Sequence, residues 1–153
     1  GCGMDSEVRE IRLNGEPVGE IALWAFCAGA YGVPVTLVTG DTAACQEARA
    51  FLPDVVAVPV KEGLSRYCTV STPPLRSREL IRAGARKAVE NCRRVSAYQP
   101  PPPYKYEVER YDTNNDWRFA SHPNDLPSTW WTEEEVTADS REELVRKVWG
   151  AEV

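Results

Sequence analysis

Side chains able to do chemistry are few in this chain. One histidine, His122, sits in a proline-rich stretch, and five cysteines, Cys2, Cys27, Cys45, Cys68 and Cys92, lie at wide, uneven intervals. A self-contained zinc site takes three or four His, Cys or carboxylate donors, and catalytic zinc keeps one position open. With one histidine and no close cysteine pair, the chain is not expected to hold catalytic zinc unaided. A Ser–His or Cys–His nucleophile pair would need His122 as its only base, and no Gly-x-Ser-x-Gly elbow accompanies it. The stretch Gly40-Asp41-Thr42-Ala43-Ala44 lacks the lysine of a phosphate loop and the glycine spacing of a dinucleotide site, which disfavours nucleotide chemistry.

What remains is a polar set at element ends: Asn14 in a hairpin turn, Glu20 opening a helix, Asp41 after a buried strand, and Lys61-Glu62 after the next strand. In open α/β sheets ligands bind at the carboxyl ends of strands, which makes Asn14, Asp41 and Lys61 candidate substrate contacts. On spacing alone a plainer role is favoured, with Asp41 capping its helix and Glu20 complementing a helix dipole.

The elements that position this set follow from pattern. Val8 to Leu13 reads as a strand closed by Asn14-Gly15, a dipeptide that tolerates positive φ at both positions. A helix rich in small residues is expected from Glu20 to Tyr31, stopped by Gly32 and Pro34. The β-branched run Val33–Val38 and the stretch Asp54–Val60 have the pattern of parallel strands buried on both faces, with a helix near Thr42 to Leu52 between them. After Pro73-Pro74 comes the longest helix, with an apolar stripe of Ile81, Ala85, Ala88, Cys92 and Val95. Pro100–Pro103 ends it. Tyr104–Tyr111 alternates like a strand with one wet face, Asp112–Pro127 reads as a long loop, and a short strand near Glu135–Ala138 precedes a helix capped by Ser140 and Glu143. Trp117, Trp130 and Trp131 could line a ligand site or a subunit contact, although such aromatics more often anchor a loop.

At 153 residues and 42% apolar, the chain has room for one compact domain. Its net charge of -5 arises from acidic and basic residues mixed along the chain, so neither nucleic acid nor an anionic membrane is an expected partner. The longest apolar stretch, Ile21–Cys27, falls short of the roughly 20 residues that cross a bilayer, and the odd, scattered cysteines fit a reducing, cytoplasmic setting. Met4 is the only methionine, so Gly1-Cys2-Gly3 is read as a cleavage remnant, or the chain as a processed or truncated piece of something longer.

Specific strings carry further. Ile11-Arg12-Leu13-Asn14-Gly15, Val18-Gly19-Glu20, Ala28-Gly29-Ala30-Tyr31-Gly32-Val33-Pro34-Val35-Thr36-Leu37-Val38-Thr39-Gly40-Asp41 and Val60-Lys61-Glu62-Gly63-Leu64 together resemble the DppA-type D-aminopeptidases, a family of zinc peptidases. The likeness is strong from Val8 to Val95 and looser beyond, and it covers the family's carboxy-terminal portion. It implies a three-layer α/β/α fold with a mainly parallel sheet, ring-shaped homo-oligomers, and hydrolysis of amino-terminal D-residues from short peptides or amides at a two-zinc centre. That centre takes an Asp and a Glu from the family's first strand, two histidines from its middle, and the Glu of the Gly-Glu pair; only the last has a counterpart here, Glu20. The family's proposed catalytic histidine falls about where this chain begins, and the reactive side chain nearby is Cys2.

Three functions follow as expectations. The first is a peptidase-type hydrolase whose amino-terminal half is supplied by another chain or was removed, with Glu20 completing the metal site. The second is a family member without catalysis, acting as a self-associating ligand-binding or scaffold protein. The third is a metal-free acyl-transfer enzyme using Cys2, with its base from elsewhere.

Overall fold

The structure, a computed structural model, describes residues 8–65, 68–111 and 131–150. The described backbone groups into two compact units, residues 8–20 with 101–111 and 131–150, and residues 21–65 with 68–100.

In the first unit, β1 (Val8–Leu13) turns through Asn14-Gly15 into the short β2 (Glu16–Pro17), and both turn residues have positive φ, 54° and 82°. β1 also pairs antiparallel with β6 (Tyr104–Tyr111), which pairs antiparallel with β7 (Trp131–Ala138), giving the order β2-β1-β6-β7. Alternation sorts the two faces. Ile11, Leu13, Tyr104, Tyr106, Val108 and Ala138 are buried, as are Leu144 and Val145 of α4 (Arg141–Trp149). The opposite face carries charge: Lys105 lies 2.9 Å from both Glu107 and Glu135, and Glu109, only 7% exposed, is paired with Arg9 and Arg12. A carboxylate taken out of water needs such partners, so this expected wet face is partly closed by its own ion pairs.

At the start of α4 the Ser140 hydroxyl accepts from Glu143 N (3.1 Å), and the Glu143 carboxylate accepts from Asp139 N (3.1 Å). This is the expected capping box, reaching one residue further back than the cap itself. Lys147 hydrogen-bonds Glu143 and, together with the Asp139 N–H, holds its carboxyl below the ordinary glutamate range.

In the second unit, β3 (Leu37–Asp41) runs parallel to β4 (Val56–Ser65), and β4 pairs antiparallel with β5 (Cys68–Ser71). Register partners of a parallel pair share a face. Leu37, Val56 and Val58 meet α3 (Pro74–Asn91) at Gly84, where a Cβ would run into Val58 and lie 3.6–3.7 Å from Leu37 and Val56. Val38 and Ala57 point the other way, into a cluster with Ala25 of α1 (Glu20–Ala30) and Ala48 of α2 (Thr42–Phe51). Helices therefore cover both faces of this unit's sheet, and small residues set how closely they lie. Gly29 of α1 sits against the Tyr98 carbonyl, and Phe51 meets the Tyr98 ring edge-on at 6.1 Å.

Several expectations change here. The mainly parallel sheet is corrected: among the described strands only β3 and β4 are parallel, because only their runs are apolar on both faces, whereas β1, β6 and β7 alternate and pair antiparallel. β3 begins at Leu37, not Val33, and extends through Gly40-Asp41; its pairing starts where β4 does, at Val56. β4 runs five residues past Val60 into an unforeseen hairpin arm with β5. Cys92 is exposed in a 3-10 turn (Cys92–Arg94) after α3, not part of its apolar stripe; Gly84 and Ala88 are the buried positions. The loop expected at Asp112–Pro127 lies outside the described residues.

Gly29→Ala is expected to lower unfolding stability by about 1–3 kcal/mol, because the added methyl meets backbone that cannot rotate away. Gly63→Ala, with nothing within 4 Å, should leave the denaturant midpoint nearly unchanged. A folded pKa held below its unfolded value adds stability above the unfolded value, and this is lost as pH falls through the lowered one. Glu143→Gln should accordingly lower the melting temperature at pH about 7 and make no such difference near pH 2, where the carboxylate is protonated in both states.

Candidate functional site

The carboxyl end of β3 lies beside the middle of β4, and a bulge there shapes the candidate site. Gly40 is opposite Pro59, yet Asp41 is opposite Lys61, so Val60 is the extra residue. Such bulges re-aim the side chains that follow them. Lys61, Glu62, Thr42, Pro59, Val70, Ser71 and Thr72 line an open cleft of about 280 Å³ at this end, close to the lower limit of small-molecule sites. Thr42 Oγ1 donates to the Lys61 carbonyl (3.3 Å), and Thr72 N donates to the Val60 carbonyl (2.9 Å), which ties the start of α2 and the end of β5 to β4. The lining residues include a cation, a carboxylate and three hydroxyls, groups able to meet both ends of a small zwitterion.

Of the anticipated substrate contacts, Lys61 lines this cleft. Asp41 is not among the lining residues; its Oδ1 accepts from Ala44 N at 2.7 Å and caps α2. Asn14 lies in the other unit and is exposed; its Oδ1 accepts from Lys105 N (2.9 Å) and its Nδ2 donates to the Pro101 carbonyl (3.1 Å), fastening the β1–β2 turn to the start of β6. Glu20 opens α1 and is half-buried. Cys2, His122, Trp117 and Trp130 lie outside the described residues, as does the side chain of Trp131.

Ser71 and Thr72 escaped sequence reasoning because β5 was not foreseen. The alternating run Thr69-Val70-Ser71-Thr72 just before Pro73-Pro74 was the available signal. Burial raises the thiol pKa of Cys27 and of Cys45, the direction that weakens a nucleophile. Among the described residues, no three His, Cys, Asp or Glu side chains gather closely enough to hold a metal ion, so these residues alone do not fit a zinc site. Among them, too, no helix is long and apolar enough to cross a membrane.

Comparison with known proteins defines the class. The sequence model of the D-aminopeptidase family matches residues 3–140, and the chain belongs to that family of peptidases. The D-aminopeptidase of Bacillus subtilis (strain 168) is 36% identical over 94 residues, which cover 61% of this chain and 34% of the relative. Among solved structures, the Zn-dependent D-aminopeptidase DppA from Bacillus subtilis, a self-compartmentalizing protease, matches with a TM-score of 0.73 at 27% identity, over 90% of this chain and 50% of that one. The chain thus matches about a third of the one relative and half of the other.

The cap at Asp41 yields a direct check. Asp41→Ala should cost about 1 kcal/mol in urea unfolding, whereas Asp41→Asn, which keeps an acceptor, should stay within a few tenths.

Proposed function

We propose that this chain is the carboxy-terminal portion of a D-aminopeptidase-type hydrolase acting on amino-terminal D-residues of short peptides or amides, and that its two-zinc site needs donors from an amino-terminal half on a separate or removed segment. The observation that carries this reading is the outer edge of β3: among the described residues β3 pairs only with β4, on one side. Parallel strands covered on both faces belong to larger sheets, and an unpaired edge presents a row of backbone donors and acceptors that another strand can satisfy. Trp24, on α1, and Val33, just after it, are 55% and 52% exposed, leaving apolar surface for a complement to bury. That the chain covers only half of its solved relative supports the same reading.

Glu20 follows Gly19 directly after the hairpin and is the proposed metal donor of this portion. Asn14, Asp41 and Lys61 are the proposed substrate contacts, with Lys61 best placed because it lines the cleft. There the Lys61 ammonium would meet the substrate's carboxylate and Glu62 a cationic end, while Ser71 and Thr72 donate hydrogen bonds and Thr42, whose hydroxyl proton is held by the Lys61 carbonyl, accepts one. A homo-oligomer, as the family resemblance implies, in a reducing cytoplasm, as the odd and scattered cysteines suggest, is the proposed setting.

The test is zinc content. Purified alone, the chain should hold far less than one zinc per molecule by elemental mass spectrometry; co-purified with a polypeptide supplying the amino-terminal half of the family fold, it should gain zinc and release D-alanine from a D-alanyl dipeptide. Glu20→Gln in the complex should lower retained zinc by 10-fold or more, in line with the loss of a direct donor. Full zinc loading of the lone chain, or no gain with the complement, would contradict the proposal.

A further inference from the structure

Although acidic and basic residues are mixed over the chain as a whole, two stretches depart from that mixture. The stretch Arg76–Arg94, α3 with the turn after it, contains seven of the 18 basic side chains and only two acidic ones. Arg76, Arg78, Arg82, Arg86 and Lys87 are all exposed. On the same helix Leu75 and Val89 are 75% and 72% exposed, so the basic face also carries uncovered apolar side chains. The opposite charge is concentrated at β7 and the start of α4, where residues 133–143 hold six acidic side chains against one arginine. Among the described strands β7 is an outer one, and Glu133, Glu134 and Glu135 are exposed on it; Glu134 and Glu135 are paired within the chain to Arg110 and Lys105, exposed pairs that a second copy's arginines can compete for.

We infer that the basic face of α3 docks on the acidic β7 edge of a second copy of this chain. The occupant follows from charge complementarity: the chain bears its own anionic counterpart, and outside α3 it is strongly acidic, which opposes a long polyanion such as nucleic acid. Arginine flanked by exposed aliphatic side chains is also the composition enriched at protein interfaces. Two different patches meeting make a head-to-tail contact, which closes into rings when the rotation allows. The inference rests on the homo-oligomeric reading above and assigns the surface through which copies meet.

The experiment is analytical ultracentrifugation of the full chain at low and high salt, with variants Arg82→Glu/Arg86→Glu and Glu133→Lys/Glu135→Lys, each checked for native circular dichroism. The wild-type chain should self-associate at low salt and weaken by 10-fold or more at about 0.5 M salt, where screening is nearly complete. Each variant alone should be mainly monomeric, because its substitutions cancel nearly all the net charge of one patch and with it the attraction across the contact. An equimolar mixture should recover association at least as far as one-to-one pairs, since the unaltered α3 of one variant faces the unaltered β7 of the other. The milder Arg82→Gln/Arg86→Gln should weaken association without abolishing it. Assembly of either reversed variant like the wild type, or a mixture that stays monomeric, overturns the assigned surface while leaving an oligomer by another route. A wild-type chain that stays monomeric throughout overturns the oligomeric reading too. Binding of a short DNA duplex that is lost in Arg82→Glu/Arg86→Glu, without any change in self-association, would show that α3 serves a polyanion instead.

Discussion

The parallel pairing of β3 with β4 is the constraint on which the rest of the structure depends. Its register puts Leu37, Val56 and Val58 on one face and Val38 and Ala57 on the other, and each face receives helices through its smallest residues. Because α3 approaches the sheet at Gly84, β4 sits too close for any larger side chain there. The bulge at Val60 is the one departure from regular pairing within this pair, and it sets Lys61, midway along β4, opposite Asp41 at the end of β3. A packing requirement in the middle of the sheet thus fixes where the polar residues emerge at its end.

From that end the division of labour among polar residues follows. Asp41 is taken up by the N-terminus of α2, whose unsatisfied N–H groups need an acceptor. Lys61, one strand over, has its carbonyl engaged by Thr42 and is among the residues lining the cleft. In the other unit Asn14 uses both ends of its amide to secure a turn. Three polar residues that look alike as strand-end candidates therefore do different work, and the difference lies in which backbone groups nearby lack partners.

Much of this was legible in the residues. Asn14-Gly15 specified a tight turn because both positions accept positive φ, and β1 and β6 appear with the boundaries their alternation gave. Ser140 and Glu143 marked the start of α4 through side-chain acceptors that the helix end requires. The parallel character of β3 and β4 was visible in their β-branched runs, but extending it to the whole sheet was not justified, since β6 and β7 carry a charged face. The β4–β5 arm was hidden because Lys61-Glu62-Gly63-Leu64-Ser65 is exposed and shows no burial pattern, so its strand character comes from pairing alone. The concentration of arginine on α3 was present in the sequence too, but the total charge of -5 masked it. Family membership came from strings such as Gly32-Val33-Pro34-Val35, which no periodicity argument would single out.

The central claim is the proposal that the side of β3 left unpaired among the described residues takes a strand from an amino-terminal half of the D-aminopeptidase fold. Amide hydrogen exchange across Leu37–Asp41, measured on the chain alone and after adding a polypeptide that supplies that half, tests it most directly. Amides of this segment that do not bond β4 should exchange fast in the lone chain and slow by 10-fold or more in the complex. Full protection in the lone chain, or binding of the added half that leaves these amides unchanged, would contradict it.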